Sequence, residues 1–364
     1  MTALVIHADD LTGAAETAAL FRHVSPDGTV LQLHSGTPGG GLTVIDLDTR
    51  HLSADEAERR TRTALATTGV PLFTKLDSML RGNYTAHLRA LDPTEHPVVL
   101  TPALPAAGRC VVNGRLLLRD RAPLNVLDVL AELPTYPIPP AGGELRPGIA
   151  VADASTDGDL DRLVEATWQV PNIRYVGAGG LAAALARRLT TQQASTHTPL
   201  EATGVLYVVG TAEPVAQHQL QALRELTDVE TATISPADTS AVEGARLAQV
   251  LADRGTVALQ APAIPHDPTL VANALAAAAH QILAKSNVRP ALVLTGGHTA
   301  RTVLEALGID HLTVVDEIHH GAVLSHTRDG RPVVTRPGSF GDRSSFAAIH
   351  AVLRPYSVRK ATTS

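Results

Sequence analysis

Short apolar runs alternate with amphipathic stretches along the whole chain. Apolar runs bounded by Gly, Pro or polar residues predict buried strands, and the stretches between them show the 3.6-residue period of helices. In the first half we predict strands at Ala3–His7, Leu42–Leu47, Val70–Thr74, Pro97–Thr101, Gly148–Ala152 and Arg174–Gly177. The helices predicted between them are Thr12–His23, Ala54–Thr67, Tyr84–Leu91, Asp157–Thr167 and Gly180–Leu189. This alternation is typical of a parallel sheet covered by helices.

A second series of strands and helices follows a polar stretch without periodicity, Thr190–Thr203, which we interpret as a surface linker. Its predicted strands are Val205–Val209, Thr231–Ile234, Thr256–Gln260, Leu292–Thr295 and Leu312–Val315. Its predicted helices are Ala216–Leu226, Ala241–Arg254, Pro268–Ala284 and Ala300–Leu307. The sequence therefore predicts two α/β domains, residues 1–200 and 201–364, each a mostly parallel sheet with flanking helices.

Three segments depart from the alternation. Asp329-Gly330 between the β-prone runs Ala322–His326 and Pro332–Thr335 predicts a hairpin, which we expect at a sheet edge. The Pro- and Gly-rich segments Pro134–Pro147 and Gly36–Gly41 are predicted to be loops.

Composition narrows the possible functions. With 44% hydrophobic but only 3% aromatic residues, the core must consist mainly of Ala, Val and Leu, as in helix-covered parallel sheets. The net charge of −6 and the absence of a Lys or Arg run argue against nucleic acid or a membrane as partner, so we expect a small molecule. The single cysteine, Cys110, excludes an intrachain disulfide and a cysteine-based zinc site. A start unlike a signal peptide and the lack of a long apolar stretch predict a cytoplasmic protein.

Two polar clusters follow predicted strands of the first domain, at the edge where open α/β sheets bind ligands. Asp9 and Asp10 lead into a helix; adjacent carboxylates raise each other's pKa, which suits one to accept a proton or hold a cation. Alternatively, Asp10 or Thr12 merely caps the helix. The second cluster starts at Lys75, which stands out because the chain has only three lysines. It also contains Asp77, Ser78, Arg81 and Asn83.

The second cluster suits an anionic, hydroxylated substrate, since Arg can clamp a carboxylate and Lys can neutralise a phosphoryl oxygen. A turn with local ion pairs is the alternative interpretation. After the next strand, Pro102 and Pro105 stiffen a loop that ends at Arg109, which either presents this arginine to a ligand or is a plain connection.

Glycine-rich loops follow strands of the second domain. A Gly-Gly turn at a helix start lets the backbone approach a phosphate, although the same turn is common in other α/β proteins. Neither a Walker A motif nor a dinucleotide fingerprint is present where it should be, so a nucleotide would be held by an uncommon set of loops. The candidate nucleotide-binding residues are Thr211, Gly296, Gly297, His298, Thr299, Gly338, Ser339, Phe340 and Gly341.

Metal and acyl-transfer chemistry have little support. His319 and His320 are adjacent and would point to opposite faces of a strand, and no HExxH helix is present, so we predict no metal site formed by the protein. A Gly-x-Ser-x-Gly nucleophile motif is also missing.

Eight motifs, spread over residues Leu4 to Asp342, resemble those of the four-carbon acid sugar kinase family in sequence and in order. In that family the N-terminal domain binds the acid sugar and the C-terminal domain binds ATP. The resemblance implies Mg²⁺-assisted phosphorylation of the terminal hydroxyl of threonate, erythronate or a 3-oxo-tetronate, with the active site in the cleft between the domains. The motifs are HADDLTGA, DTR at the end of the second strand, KLDSMLRGN, PALPAAGR, VGAGGLAAAL, VVGTAEP, TGGHTA and RPGSFGD.

The resemblance also implies roles for individual residues. Arg81 and Arg109 would hold the carboxylate of the acid, and Lys75 would face the transferring phosphoryl group. Asp10 would be the base, with Asp9 or Asp77 as alternatives. The residues implied to face the sugar acid are Asp9, Asp10, Lys75, Asp77, Ser78, Arg81, Asn83 and Arg109. Those implied to face ATP are Gly296, Gly297, Thr299, Gly338, Phe340 and Gly341, with Thr211 at the entrance loop.

Several positions depart from the family pattern. His298 and Ser339 replace the usual Asp and Gly, Thr211-Ala212-Glu213 replaces a Gly-Ser-Ser-type loop, and Met79 replaces a threonine. Two further hypotheses therefore stay open: a non-catalytic sensor descended from such a kinase, and a nicotinamide-dependent oxidoreductase. A homodimer is expected only because metabolic enzymes commonly form one.

Overall fold

A computed structural model describes residues 4–25, 28–34, 41–119, 121–190, 202–236, 241–263 and 267–357. The chain divides into two compact units, Met1–Ser195 and Thr196–Ser364, called here the N-terminal and C-terminal units. Residues 191–201 of the predicted linker and residues 36–40 of the predicted glycine loop lie outside the described residues.

The N-terminal unit contains a parallel sheet in the order β2-β3-β1-β4-β11-β5-β10-β9 and a small antiparallel sheet, β6-β7-β8. The strands are β1 (Leu4–Ala8), β2 (Thr29–Gln32), β3 (Leu42–Asp46), β4 (Phe73–Lys75), β5 (Pro97–Thr101), β6 (Cys110–Val112), β7 (Arg115–Leu118), β8 (Arg121–Asn125), β9 (Thr135–Ile138), β10 (Gly148–Ala152) and β11 (Arg174–Gly177). The helices are α1 (Leu11–Leu20), α2 (Ala54–Thr68), α3 (Tyr84–Ala90), α4 (Val126–Val129), α5 (Asp157–Thr167) and α6 (Gly179–Leu189), with a 3₁₀ turn at Pro105–Ala107.

The C-terminal unit contains one mixed sheet in the order β13-β14-β12-β15-β18-β17-β16. β13, β14, β12, β15 and β18 run parallel, and β17 and β16 are added antiparallel. Its strands are β12 (Val205–Val209), β13 (Glu230–Thr233), β14 (Thr256–Gln260), β15 (Ala291–Thr295), β16 (His311–His319), β17 (Ala322–His326) and β18 (Pro332–Arg336). Its helices are α7 (Pro214–Leu226), α8 (Ala241–Arg254), α9 (Pro268–Lys285), α10 (Gly297–Ala306) and α11 (Ser345–Ser357).

The predicted α/β fold class is confirmed, and the core is built as expected from Ala, Val and Leu. β3, β10, β12 and β15 are buried along their whole length, because helices cover both faces of a parallel strand. No helix in the described part of the chain is both long and apolar enough to cross a membrane.

Three local predictions are wrong. The hairpin is not at a sheet edge: β18 lies between β15 and β17, and its side chains are buried throughout. Part of the Pro134–Pro147 segment is a strand, β9, which tolerates Pro137 because it is the edge strand. The predicted strand at Val70–Thr74 begins only at Phe73 and includes Lys75; Val70 is exposed just after the helix-ending Gly69.

Candidate functional site

The polar clusters of the N-terminal unit meet at one edge of its parallel sheet. β3 and β4 are the two neighbours of β1, and Ala8, at the end of β1, is in register with both Asp46 and Lys75. Because the three strands are parallel, the residues that follow them emerge side by side. The sheet therefore places Asp9 and Asp10 beside the loop after β3 and beside the Lys75 cluster.

Arg50, in the loop after β3, connects the two aspartates. Its guanidinium forms a bidentate pair with Asp9, with Nε donating to Oδ2 and Nη2 to Oδ1, both at 2.8 Å. The same Nη2 lies 2.7 Å from Oδ1 of Asp10. Sequence reasoning noted Arg50 only as part of a motif; its position at the end of the neighbouring strand was the signal that could have found it.

The two aspartates have different surroundings. Asp9 is 1% exposed, and its burial raises the pKa of the carboxyl while Arg50 opposes that rise. Asp10 is more accessible; its Oδ1 accepts from the backbone N–H of Gly13 at 3.0 Å and its Oδ2 from Thr12 Oγ1 at 2.6 Å. Asp10 thus caps α1, as one interpretation expected, and also faces the cluster. Of the two carboxylates, Asp10 is the one that a ligand can reach.

Lys75 is nearly buried at the end of β4. It is 5% exposed, and its Nζ lies 3.4 Å from Oε2 of Glu16 on α1. Glu16 was not among the predicted site residues. Gly13 packs against Lys75, and Glu16 is three positions further along the same helix face, which is the spacing that could have identified it.

Asp77 and Arg81 form the local ion pair that the alternative interpretation of their cluster anticipated. Asp77 Oδ2 accepts from the N–H of Met79 at 2.9 Å and from Arg81 Nε at 3.0 Å, and Oδ1 accepts from Arg81 Nη2 at 2.6 Å. Burial alone would raise the pKa of Asp77, but the hydrogen bonds and charge of Arg81, together with the charge of Arg50, lower it to about 2. Such an acidic carboxyl is a poor proton acceptor, which argues against Asp77 as base.

Asn83 stabilises the loop that carries Arg50. Its Nδ2 donates to the carbonyl oxygens of Thr49 at 2.7 Å and Leu52 at 3.0 Å. These bonds give Asn83 a scaffold role for that loop, and its contact with a ligand stays a prediction.

Arg109 reaches the cluster from the loop after β5. Its Nη1 donates to Ser78 Oγ, and within the described ranges it forms no ion pair with a carboxylate. By contrast, Arg50, Lys75 and Arg81 each face at least one carboxylate. Arg109 is therefore the cation of this cluster whose charge is still available to an anion.

Two buried histidines lie behind the cluster. His87 contacts Thr49 Oγ1 at 2.8 Å and Thr61 Oγ1 at 3.2 Å, and His7 contacts Thr68 Oγ1 at 3.0 Å. Burial lowers the pKa of His7 to about 3, with the neighbouring His87 acting in the same direction. Burial, reinforced by the charge of Arg50, lowers the pKa of His87 to about 4. Both rings are therefore neutral at physiological pH.

Three loops of the C-terminal unit also meet at one sheet edge, because β12, β15 and β18 are parallel neighbours. Gly210 follows β12, Gly296 follows β15, and Pro337–Asp342, called here the second glycine loop, follows β18. A Cβ on Gly210 would lie 1.8 Å from Thr299 Oγ1, and one on Gly338 would lie 2.8 Å from Cβ of Thr211. The glycine backbones lie so close to these threonine side chains that a larger residue at either position would force one loop to shift.

Comparison with known proteins identifies the family. The family pattern described as "Sugar-binding N-terminal domain" matches residues 4–139, and "Nucleotide-binding C-terminal domain" matches residues 206–346. A D-threonate kinase of Cupriavidus necator is 31% identical, covering 94% of this chain and 95% of that protein. The chain belongs to the four-carbon acid sugar kinase family. This is a family of phosphotransferases.

One further relative agrees with this assignment, and one solved structure has the same fold. A D-erythronate kinase of Heliobacterium modesticaldum is 28% identical, covering 94% of this chain and 95% of that protein. A crystal structure of a Salmonella typhimurium LT2 protein, 21% identical, has the same fold, with a TM-score of 0.78 over 96% of this chain and 99% of that chain.

Two of the departures from the family pattern lie at exposed positions. His298 is exposed in the first turn of α10, and Ser339 is exposed in the second glycine loop. Gly296 keeps a φ of 96°, which favours glycine, and Thr299 is buried against Gly210. Phe340 packs against Gly321 and stacks on His320, with ring centroids 5.3 Å apart. The substitutions at His298 and Ser339 thus leave the close contact between Gly210 and Thr299 in place.

Proposed function

We propose that this chain transfers the γ-phosphate of ATP to the terminal hydroxyl of a tetronate, an acid sugar of four carbons. The N-terminal unit would bind the acid and the C-terminal unit the nucleotide. Family membership supports the reaction class, and the chemistry of the two sheet edges supports the division of labour: one edge presents charged side chains, the other glycine backbone.

The observation that carries the proposal is the availability of Arg109. Its guanidinium is held by the neutral hydroxyl of Ser78, whereas the other cations of the cluster already face carboxylates. A substrate carboxylate can pair with it through charge-assisted hydrogen bonds. A carboxylate on the substrate can therefore pair with Arg109 without displacing a carboxylate of the protein.

Asp10 is the proposed proton acceptor for the substrate hydroxyl. It is more accessible than Asp9, and the low pKa of Asp77 makes that residue a poor proton acceptor. Arg50 pairs with both Asp9 and Asp10 and so fixes the orientation of the base. Lys75 would stabilise negative charge on the transferring phosphoryl group, since phosphoryl transfer depends mainly on positioning and charge neutralisation.

The nucleotide side would use the backbone of the three glycine-containing loops and the N-terminus of α10 to bind phosphates. Magnesium usually binds through one or two carboxylates together with the phosphates of the nucleotide. Among the described residues no group of three or more His, Cys, Asp or Glu side chains is placed to hold a metal. When bound, Mg²⁺ would neutralise charge on the phosphate oxygens.

The test is ADP release with Mg-ATP over a panel of D- and L-threonate, D-erythronate, 3-oxo-tetronates and longer aldonates. Turnover of a four-carbon acid, with longer aldonates inactive, would support the proposal and name the substrate. If calorimetry detects binding of a tetronate while no ADP is released with any acid, the kinase proposal is wrong and the sensor hypothesis takes its place.

A further inference from the structure

Two buried side chains lie behind the second glycine loop and contact its carbonyl groups. Gln219, on α7, and Arg336, the last residue of β18, are both 0% exposed. Gln219 Nε2 lies 3.1, 3.0 and 2.9 Å from the carbonyl oxygens of Phe340, Gly341 and Asp342. Arg336 Nη2 donates to the carbonyl of Phe340 as well. Three successive carbonyl groups of the loop therefore face the protein interior.

Arg336 also fixes the orientation of the Gln219 amide. Its Nη1 donates to Gln219 Oε1 at 2.7 Å. Because a guanidinium can only donate hydrogen bonds, the oxygen of Gln219 must face Arg336 and the NH₂ group must face the loop. The two side chains act as one unit.

Inward carbonyl groups require outward N–H groups, because the C=O and N–H of a trans peptide point in opposite directions. The peptides of Phe340, Gly341 and Asp342 carry the N–H groups of Gly341, Asp342 and Arg343, three exposed residues. Within the described ranges these N–H groups have no protein acceptor. Gly341 has a φ of 81°. Successive free N–H groups around a left-handed residue form a concave site for anions.

The charge of Arg336 is not balanced by a carboxylate. In the described part of the chain it forms no ion pair, its Nε has no hydrogen-bond partner, and it packs over the ring of Phe346. Burial lowers the pKa of Arg336 to about 10, so the side chain is still charged at neutral pH. A buried charge without a counterion is costly, and an anion bound at the loop would offset part of that cost.

We propose that Gln219 and Arg336 are positioning residues that shape the second glycine loop into a binding site for the phosphates of the nucleotide. This inference rests on the proposed function, because it assumes that the C-terminal unit binds ATP. Neither residue touches the nucleotide; they act by holding the loop carbonyls inward and by placing a positive charge beneath the loop.

The test is the isosteric variant Gln219→Glu. A carboxylate at this position keeps the contact with Arg336 and the packing, but it cannot donate to the three carbonyls and repels them. Affinities for Mg-ADP and for adenosine are measured by calorimetry, with Gln221→Glu, an exposed position on the same helix, as matched control. We expect the affinity for ADP to fall at least tenfold in Gln219→Glu, with adenosine affinity, the KM of the acid sugar and the control unchanged.

The outcomes separate the two proposals. If wild-type protein binds neither ADP nor ATP, the proposed function fails. If the wild-type protein binds ADP and the Gln219→Glu variant binds ADP equally well, the positioning role is wrong. The positioning role is also wrong if the variant loses affinity for ADP and for adenosine to the same extent. Should the variant not fold, amide hydrogen exchange of the wild-type loop decides: ADP, but not adenosine, must slow exchange at residues 341–343, and equal exchange with both ligands contradicts the inference.

Discussion

The two sheet edges of this chain present different chemical groups: charged side chains at one edge and glycine backbone at the other. At the edge of the N-terminal unit, β1, β3 and β4 present carboxylate and guanidinium groups that pair with one another, as Asp9 and Asp10 do with Arg50. At the edge of the C-terminal unit, β12, β15 and β18 present glycine backbone, and the polar side chains are buried behind it, as Gln219 and Arg336 show. The first edge would recognise a small acid by its functional groups, and the second would recognise phosphates by peptide N–H groups.

This difference predicts which kind of substitution damages each edge. The N-terminal edge should be sensitive to isosteric changes that remove a charge, because its groups act through charge. The C-terminal edge should be sensitive to the addition of a single methyl group, because glycine backbone there lies in close contact with threonine side chains.

The largest effect is expected for Asp10→Asn. Asparagine keeps the size and the capping hydrogen bond to Gly13 but cannot accept the proton of the substrate hydroxyl. A general base typically contributes roughly 10²–10⁴-fold in rate, so kcat should fall by about that factor while the affinity for ATP is unchanged. Steady-state kinetics and calorimetry measure the two quantities. Asp55→Asn, at an exposed position in α2, is the control, and near-normal turnover in Asp10→Asn would remove Asp10 from the role of base.

A smaller effect on the same edge is expected for Arg109→Met, which keeps much of the side-chain length but removes the charge. A hydrogen bond to a charged group contributes about 1.5–3 kcal/mol, so the KM of the acid sugar should rise on the order of 10–100-fold. The KM of ATP should be unchanged. Arg115→Met, exposed on β7, provides the matched control. An unaltered KM of the acid would show that its carboxylate binds elsewhere.

The sequence predicted those parts of the two edges that depend on local pattern. Pro97–Thr101, Gly148–Ala152 and Val205–Val209 are strands as predicted, because short apolar runs between turn residues define them. The functional clusters follow strands, so their arrival at one sheet edge could be expected from the parallel topology.

What the sequence could not supply is the pairing of distant residues. Arg50 meets Asp9 only because β3 lies beside β1, and Glu16 meets Lys75 only because α1 packs near β4. The prediction placed β18 at a sheet edge because an Asp-Gly turn indicates a hairpin but does not indicate which other strands pair with it. Gln219 and Arg336 lie far apart in sequence, so no local spacing could connect them.

On the C-terminal edge, Gly210→Ala should impair nucleotide binding. The new methyl group would lie 1.8 Å from Thr299 Oγ1, so the backbone of one loop must move. Overpacking of this kind typically costs about 1–3 kcal/mol of stability, and the displaced loop should also weaken ATP binding. Thermal unfolding and calorimetry provide the readouts. The comparison variant is Gly158→Ala, where a Cβ makes only ordinary contacts of 3.6 Å or more; equal behaviour of the two variants would contradict the close-contact argument.

The smallest expected effect is a pH dependence of stability that arises behind the N-terminal edge. The buried polar groups there include the neutral His7 and His87, whereas the C-terminal edge has the charged Arg336 behind it. Their folded-state pKa values of about 3 and about 4 lie below the value of roughly 6.5 expected in the unfolded chain. The unfolded chain therefore binds protons first as the pH falls. The stability contribution of the neutral rings is present above about pH 6.5 and is lost progressively as the pH falls, towards about pH 4 for His87 and about pH 3 for His7.

Between pH 7.5 and pH 6.0 this linkage should lower the free energy of unfolding by about 1 kcal/mol per histidine. Urea unfolding followed by the fluorescence of Trp168, the single tryptophan, reports on the N-terminal unit. In His87→Gln the amide can still bond to Thr49 and Thr61 but does not titrate, so the loss of stability over this pH range should shrink by about half. A buried neutral histidine must make the stability depend on pH in this range. If the pH dependence is unchanged in His87→Gln, groups other than His87 cause it.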